Sequence, residues 1–81
     1  MPWRVIDHGG QVWHVDAIAE RRANTESWQL ALSFRAASER SRTAALWTPF
    51  PLEATSKASL FIQAERIPDD ALSQVLAERL A

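Results

Sequence analysis

The stretch Ser27-Trp28-Gln29-Leu30-Ala31-Leu32-Ser33-Phe34-Arg35 decides the fold of this chain, because large apolar side chains alternate strictly with small or polar ones. A period of two sends alternate side chains to opposite faces of a β-strand, so this pattern predicts an antiparallel strand with one buried face. The buried set is Trp28, Leu30, Leu32 and Phe34, and the opposite face carries Gln29, Ala31, Ser33 and Arg35.

A β-hairpin is predicted upstream, where the runs Trp3 to Asp7 and Gln11 to Ala19 flank His8-Gly9-Gly10. Glycine accepts the positive φ angles of a tight turn at little cost, which makes this the most direct local turn signal in the chain. We expect a three-residue loop with Val5 opposite Trp13, since that register groups most large side chains on one face. A two-residue Gly9-Gly10 loop is the alternative, and it pairs Val5 with a histidine.

Downstream of the central strand, the segment Arg42 to Trp47 is expected to return as a fourth strand. The segment Thr48-Pro49-Phe50-Pro51 follows it. Because proline lacks an amide donor, we expect these two prolines to end the strand.

The last third of the chain changes to helical spacing. A first helix is predicted over Ser56 to Arg66, with a short edge strand through Phe61-Ile62 as the alternative. Pro68-Asp69-Asp70 marks the start of a second helix, since proline is tolerated in a first turn and acids favour the positive end of the helix dipole. This helix is expected to run to near Leu80.

Strands first and helices second predict a single α+β domain over residues 1–81, with the β-meander in 1–47 and the helical part in 48–81. The fold class is therefore a three- to four-stranded antiparallel meander followed by one or two C-terminal helices packed on one face. Four Trp and three Phe supply the core. Trp3, Trp13 and Trp28 are expected on the apolar side of their strands.

Composition narrows the functional classes. The absence of cysteine excludes disulfides, Cys-type zinc sites and thiol catalysis, and it fits a cytoplasmic location. The N-terminus has no signal-peptide pattern, no run is long enough to cross a membrane, and no cofactor is predicted. The excess of Arg over Lys (eight against one) and the abundance of Ala suggest a bacterial genome rich in GC.

Two histidines are the obvious candidates for chemistry. His14 and Asp16 lie two residues apart on one strand face, and the preferred register puts Arg4 on that outer face too. A His14–Asp16 pair could orient an imidazole or form half of a metal site, but zinc requires three or four ligands. His8 is expected in the turn. We interpret both histidines as structural, and we expect no catalytic residues and no metal site.

The candidate interaction surface combines an arginine cluster with an aromatic and proline-rich segment: Arg35, Arg40, Arg42, Trp47 and Phe50. Arginine binds phosphates and carboxylates with two parallel hydrogen bonds, and an exposed aromatic ring can anchor a partner. The net charge of −1 argues against a protein devoted to nucleic acid.

The order of these features, from Arg4-Val5-Ile6-Asp7-His8-Gly9-Gly10-Gln11-Val12-Trp13 to the acidic start of the last helix, resembles small bacterial domains of unknown function. That resemblance implies no activity. The sequence favours a non-enzymatic protein-interaction module whose partner is another protein or a second copy. The alternative is a nucleic-acid-binding accessory or regulatory domain that uses Arg35, Arg40 and Arg42. A small hydrolase or metal enzyme is the least favoured class.

Overall fold

The computed structural model describes residues 2–37 and 45–81, and it confirms the predicted α+β class. One antiparallel sheet has the strand order β1-β2-β3-β4, and two helices follow it in the chain. The elements are β1 (Arg4–His8), β2 (Gln11–Arg21), β3 (Trp28–Ala36), β4 (Leu46–Ala54), α1 (Lys57–Ala64) and α2 (Asp69–Leu80).

The predicted register of the first hairpin is wrong. His8 pairs with Gln11, so the loop contains only Gly9 and Gly10, at φ values of 60° and 77°. Two successive positive φ angles define the type I′ turn, whose twist matches that of the flanking strands. Every side chain of β1 therefore faces the opposite way from the prediction.

The corrected register brings Ile6 opposite Trp13, and both are buried. Val5 pairs with His14 instead, and 52% of its surface is exposed. Arg4, expected on the outer face, lies opposite the buried Val15 and reaches toward the helices. Since Val5 and Ile6 are both apolar and β-branched, composition alone does not choose between the two registers.

The prediction that prolines end the fourth strand is also wrong. β4 runs from Leu46 to Ala54, through both Pro49 and Pro51. The predicted start of this strand, residues 42–44, lies outside the described residues.

Backbone geometry explains why the prolines fit. The β2–β3 ladder is bracketed by hydrogen bonds from Ala37 N to Val12 O and from Arg22 N to Ser27 O, each 2.9 Å. Hydrogen-bonded and non-hydrogen-bonded pairs alternate along an antiparallel ladder. The backbone N–H and C=O groups of even-numbered β4 residues therefore point toward β3, and those of odd-numbered β4 residues point outward from the edge of the sheet. Pro49 pairs with Ala31 at an outward position, and Pro51 lies in the irregularity that follows. Neither removes a donor from the ladder.

Both helices cover the same face of the sheet, which we call the inner face. The core joins strand residues of that face to helix residues, namely Ile6, Trp13, Val15, Leu30, Leu32, Phe34, Ala36, Leu60, Ala64, Ile67, Leu72 and Leu76. Trp28 packs half-buried against this core from the inner face of β3, as predicted. Trp3 also packs against the core, but it precedes β1 and does not lie opposite Val15 as the predicted register required. The opposite face, which we call the open face, has no helix of the described chain against it.

Local signals set the helix boundaries. The Ser56 side chain caps α1 by accepting a 3.1 Å bond from Ser59 N, and this helix includes Phe61-Ile62, which excludes the edge-strand alternative. Asp69 and Asp70 occupy the first turn of α2 after Pro68, as predicted. No helix in residues 2–37 and 45–81 has the length and apolar character needed to cross a membrane.

Candidate interaction surface on the open face of the sheet

The open face carries the exposed apolar side chains of the sheet. Trp47 is 54% exposed, Val5 52% and Val12 42%. Monomeric proteins expose single apolar residues commonly, but several on one uncovered sheet face indicate a surface that can bind a partner.

Trp47 is the most prominent of these residues. It pairs with Ser33 across the β3–β4 ladder, and its side chain lies on the open face because burial along β4 alternates residue by residue. Its backbone carbonyl accepts a 3.4 Å hydrogen bond from Nε of Arg79, near the end of α2. The Trp47 backbone is therefore fixed by β3 on one side and by Arg79 on the other, while its ring is exposed to solvent.

A row of two small residues lies beside Trp47 along the middle of the open face, between β2 and β4, and we call this row the groove. Its floor consists of Ala31 and Ser33 on β3, which are only 6% and 7% exposed although no helix covers them. They are shielded because larger residues flank them: Asp16 and Ile18 on β2, and Trp47 and Pro49 on β4. The accessible surface at this position is therefore formed by the flanking residues, and above all by the exposed ring of Trp47.

The charges of the open face are mixed, with an acidic excess among the described residues. Arg35 pairs with His14 in the β2–β3 ladder and lies diagonal to Trp47, two residues along β3 from Ser33. Asp7, Asp16, Glu20 and Glu53 share this face by their register. Glu53 is engaged by Arg22 at 2.7 Å and by Ser27 at 3.1 Å.

The structure therefore groups only part of the predicted surface. Arg35 and Trp47 lie on the same face, but Phe50 lies on the inner face, where it packs half-buried against the core. Arg40 and Arg42 lie outside the described residues. Phe50 is separated from Trp47 because odd- and even-numbered β4 residues take opposite faces once the strand continues through the prolines.

The two histidines lie on opposite faces. His8 ends β1 on the inner face, where its Nδ1 is 2.7 Å from Oγ of Ser73 in α2. His14 is on the open face, and the nearby Asp16 carboxylate accepts a 3.3 Å bond from Trp3 N. In the described parts of the chain, no three His, Asp or Glu residues come together as metal ligands would.

Sequence reasoning missed two contributors to this surface, Val5 and Pro49. The predicted hairpin register wrongly places Val5 in the core, and the prediction that the prolines end the fourth strand leaves Pro49 outside the sheet. The one available signal was the identical spacing of Trp47, Pro49, Pro51 and Glu53, which is a period of two with prolines on a single face.

Comparison with protein-family models, with curated proteins and with solved structures found no match. The resemblance to bacterial domains of unknown function, the bacterial origin and the cytoplasmic location therefore stay predictions. Functional inference for this chain rests on the geometry of its own residues.

Proposed function

We propose that this domain is a non-enzymatic protein-interaction module that binds another protein through the open face, with Trp47 as the anchor. The observation that carries the proposal is the 54% exposure of this ring on a sheet face that no helix of residues 2–37 and 45–81 covers, beside a groove floored by Ala31 and Ser33. Tryptophan is the residue type most enriched among those that dominate binding energy.

The surroundings of Trp47 support a protein partner. Interfaces of this kind combine a central aromatic anchor with a polar rim, and here Arg35, His14 and Asp16 border the groove. Arginine is itself enriched in such interfaces, where it forms two-pronged bonds to carboxylates.

The alternative function, nucleic-acid binding, is supported by one observation. Arg35 and Trp47 share a face, and a basic group beside an exposed ring suits a phosphate with a stacked base. The acidic residues of the same face, Asp7, Asp16 and Glu20, oppose it because they repel a polyanion. We therefore favour a protein partner and make nucleic acid an outcome of the test.

The test is capture from a lysate of the source organism with the tagged chain, analysed by mass spectrometry with and without nuclease. We expect a protein that survives nuclease and whose recovery falls about tenfold or more with Trp47→Ala. Ile62→Ala is the matched control, since Ile62 is 61% exposed but lies on α1. This control should capture as well as the unchanged protein.

Three results contradict the proposal. Equal capture by Trp47→Ala and by the unchanged protein would show that Trp47 does not contribute to binding the partner. Equal losses from both variants show non-specific hydrophobic adsorption. Recovery that disappears with nuclease and weakens steeply with salt points to nucleic acid instead.

A further inference from the structure

The two edges of the sheet, formed by β4 on one side and by β1 with the end of β2 on the other, differ in how they are protected against strand addition. On the β4 side, Pro49 replaces an outward amide donor, Pro51 is a second residue without a donor, and Arg79 donates to the outward carbonyl of Trp47. Prolines at such positions are a device by which sheet proteins prevent edge-to-edge pairing. The opposite side of the sheet lacks this device along β2.

β2 is longer than the strand that pairs with it on that side. β2 spans Gln11–Arg21, whereas its pairing with β1 covers only Gln11–Val15. Backbone groups alternate in direction along β2. The N–H and C=O groups of Ile18 and Glu20 point toward β3, so those of Ala17, Ala19 and Arg21 point away from β3. We call the lane beside Ala17–Arg21, beyond the start of β1, the notch.

No backbone hydrogen bond within the described chain joins the outward groups of Ala17, Ala19 or Arg21 to a helix or loop. Unpaired strand groups of this kind are a template for an added strand. A strand beside Ala17–Arg21 would extend about 17 Å and would continue the line of β1.

We propose that the notch binds an extended segment of a partner protein in which apolar and basic residues alternate. On the inner face, Ala17 and Ala19 are small and pack at the margin of the core, so they leave room for apolar side chains of an added strand. On the open face, Glu20 is exposed within the notch, and Asp16 lies diagonal to the position opposite Ile18. Both carboxylates therefore favour a basic side chain opposite Ile18. Cross-strand pairs of opposite charge stabilise a sheet, and like charges destabilise it.

The same features disfavour a second copy of this chain as the occupant. Antiparallel self-pairing centred on Ile18 places Asp16 opposite Glu20, and pairing centred on Glu20 places two glutamates opposite each other. Pairing centred on Ala19 brings Arg22 of the second copy to the position opposite Asp16. That position is already taken by Trp3, whose backbone N–H bonds to the Asp16 carboxylate.

This binding site is separate from the Trp47 groove, so each stands or fails alone. The first measurement is residue-resolved amide hydrogen exchange on the isolated chain. We expect fast exchange at Ala17, Ala19 and Arg21 and slow exchange at Ile18 and Glu20. Slow exchange at all five in the monomer would mean that the chain itself fills the notch, and it would overturn the proposal.

The second measurement titrates a capped heptapeptide of alternating Lys and Val, with a Glu and Val peptide as the charge-reversed probe. Binding of the Lys peptide should slow exchange at Ala17, Ala19 and Arg21, and the Glu peptide should bind about tenfold more weakly or less. Equal binding of the two peptides contradicts the charge assignment. Absence of Lys-peptide binding contradicts the site.

Variants separate backbone pairing from other contacts. Ala19→Pro removes an outward donor without touching the ladder to β3, as the native Pro49 does, and should weaken the Lys peptide at least about tenfold. Retained slow exchange at Ile18 and Glu20 verifies its fold. Glu20→Lys should weaken binding about fivefold, whereas Glu78→Lys on α2 should not.

Two further results decide the occupant. Unchanged peptide affinity in Ala19→Pro overturns strand addition. Protection at Ala17, Ala19 and Arg21 that grows with protein concentration in the absence of peptide, together with dimer mass by light scattering, assigns the notch to a second copy. Trp47→Ala should leave peptide affinity unchanged, and a loss there would mean that the peptide binds the groove instead.

Discussion

Arg4 in β1 and Asp69 in the first turn of α2 form an ion pair, with 3.2 Å between Nη1 and Oδ1. The same guanidinium donates to the carbonyl oxygens of Ala64, Glu65 and Ile67, at the end of α1 and in the connection to α2. The last carbonyls of a helix lack partners within it. Ala64 O also accepts a bond from Ile67 N, but among the described residues Arg4 is the donor to the Glu65 and Ile67 carbonyls. It therefore fastens both helices to the first strand.

Replacing Arg4 should destabilise the domain substantially. The Arg4 side chain is 18% exposed, and Arg4→Ala removes the donor to the partly buried Ile67 carbonyl together with the ion pair to Asp69, which costs about 1–3 kcal/mol. The measurement is the free energy of unfolding by urea. Arg66→Ala is the matched control, because Arg66 lies in the connection between α1 and α2 and is exposed. This substitution should change the free energy of unfolding by less than about 0.5 kcal/mol. Equal effects of the two substitutions would show that the contacts of Arg4 contribute nothing.

The hairpin register makes a paired prediction. Ile6 is 4% exposed and belongs to the core, whereas Val5 is 52% exposed on the open face. Ile6→Ala should therefore cost about 2–4 kcal/mol, and Val5→Ala less than about 1 kcal/mol. Equilibrium unfolding of both variants measures the difference. A larger loss for Val5→Ala would support the three-residue loop that the sequence favoured.

The turn itself can be tested at Gly9, which has a φ of 60° and open space where a Cβ would be. Gly9→Ala should cost about 1–2 kcal/mol, because an ordinary side chain disfavours the left-handed region. Gly9→Asn should cost less, since asparagine is well suited to the type I′ turn. If both variants unfold at the same urea concentration as the unchanged protein, this turn does not limit stability.

Local patterns predicted the parts of the fold whose signals are complete within a few residues. The alternation from Trp28 to Phe34 identified β3 and its buried face, and Pro68-Asp69-Asp70 identified the start of α2. The register of β1 was not accessible, because a shift of one residue exchanges Val5 with Ile6 and both suit a core. Only packing against the helices decides between them.

The candidate site was predictable to a similar extent. Arg35 and Trp47 were selected from residue type, and the sheet does bring them to one face. Phe50 was grouped with them because it is near in sequence, although strand alternation directs it inward. The contacts of Arg4 with α1 and α2 involve residues 60 or more positions away, so no local pattern indicates them.

The prolines of β4 give the last prediction, because they act on association more than on folding. Pro49 faces away from the ladder and Pro51 has no pairing partner on β3, so replacing both with alanine should leave the β3–β4 hydrogen bonds intact. The change in unfolding free energy should stay within about 2 kcal/mol for the two positions together. It also restores outward amide donors on an edge strand that already exposes Trp47, and such an edge is a template for pairing with other chains. We therefore expect Pro49→Ala with Pro51→Ala to raise the proportion of dimers or larger species, measured by size-exclusion chromatography with light scattering.

Pro68→Ala, at the start of α2, is the matched control and should remain in the same state of association as the unchanged protein. If the double variant associates no more than this control, the β4 edge is protected by other features, of which the bond from Arg79 to the Trp47 carbonyl is the first to remove.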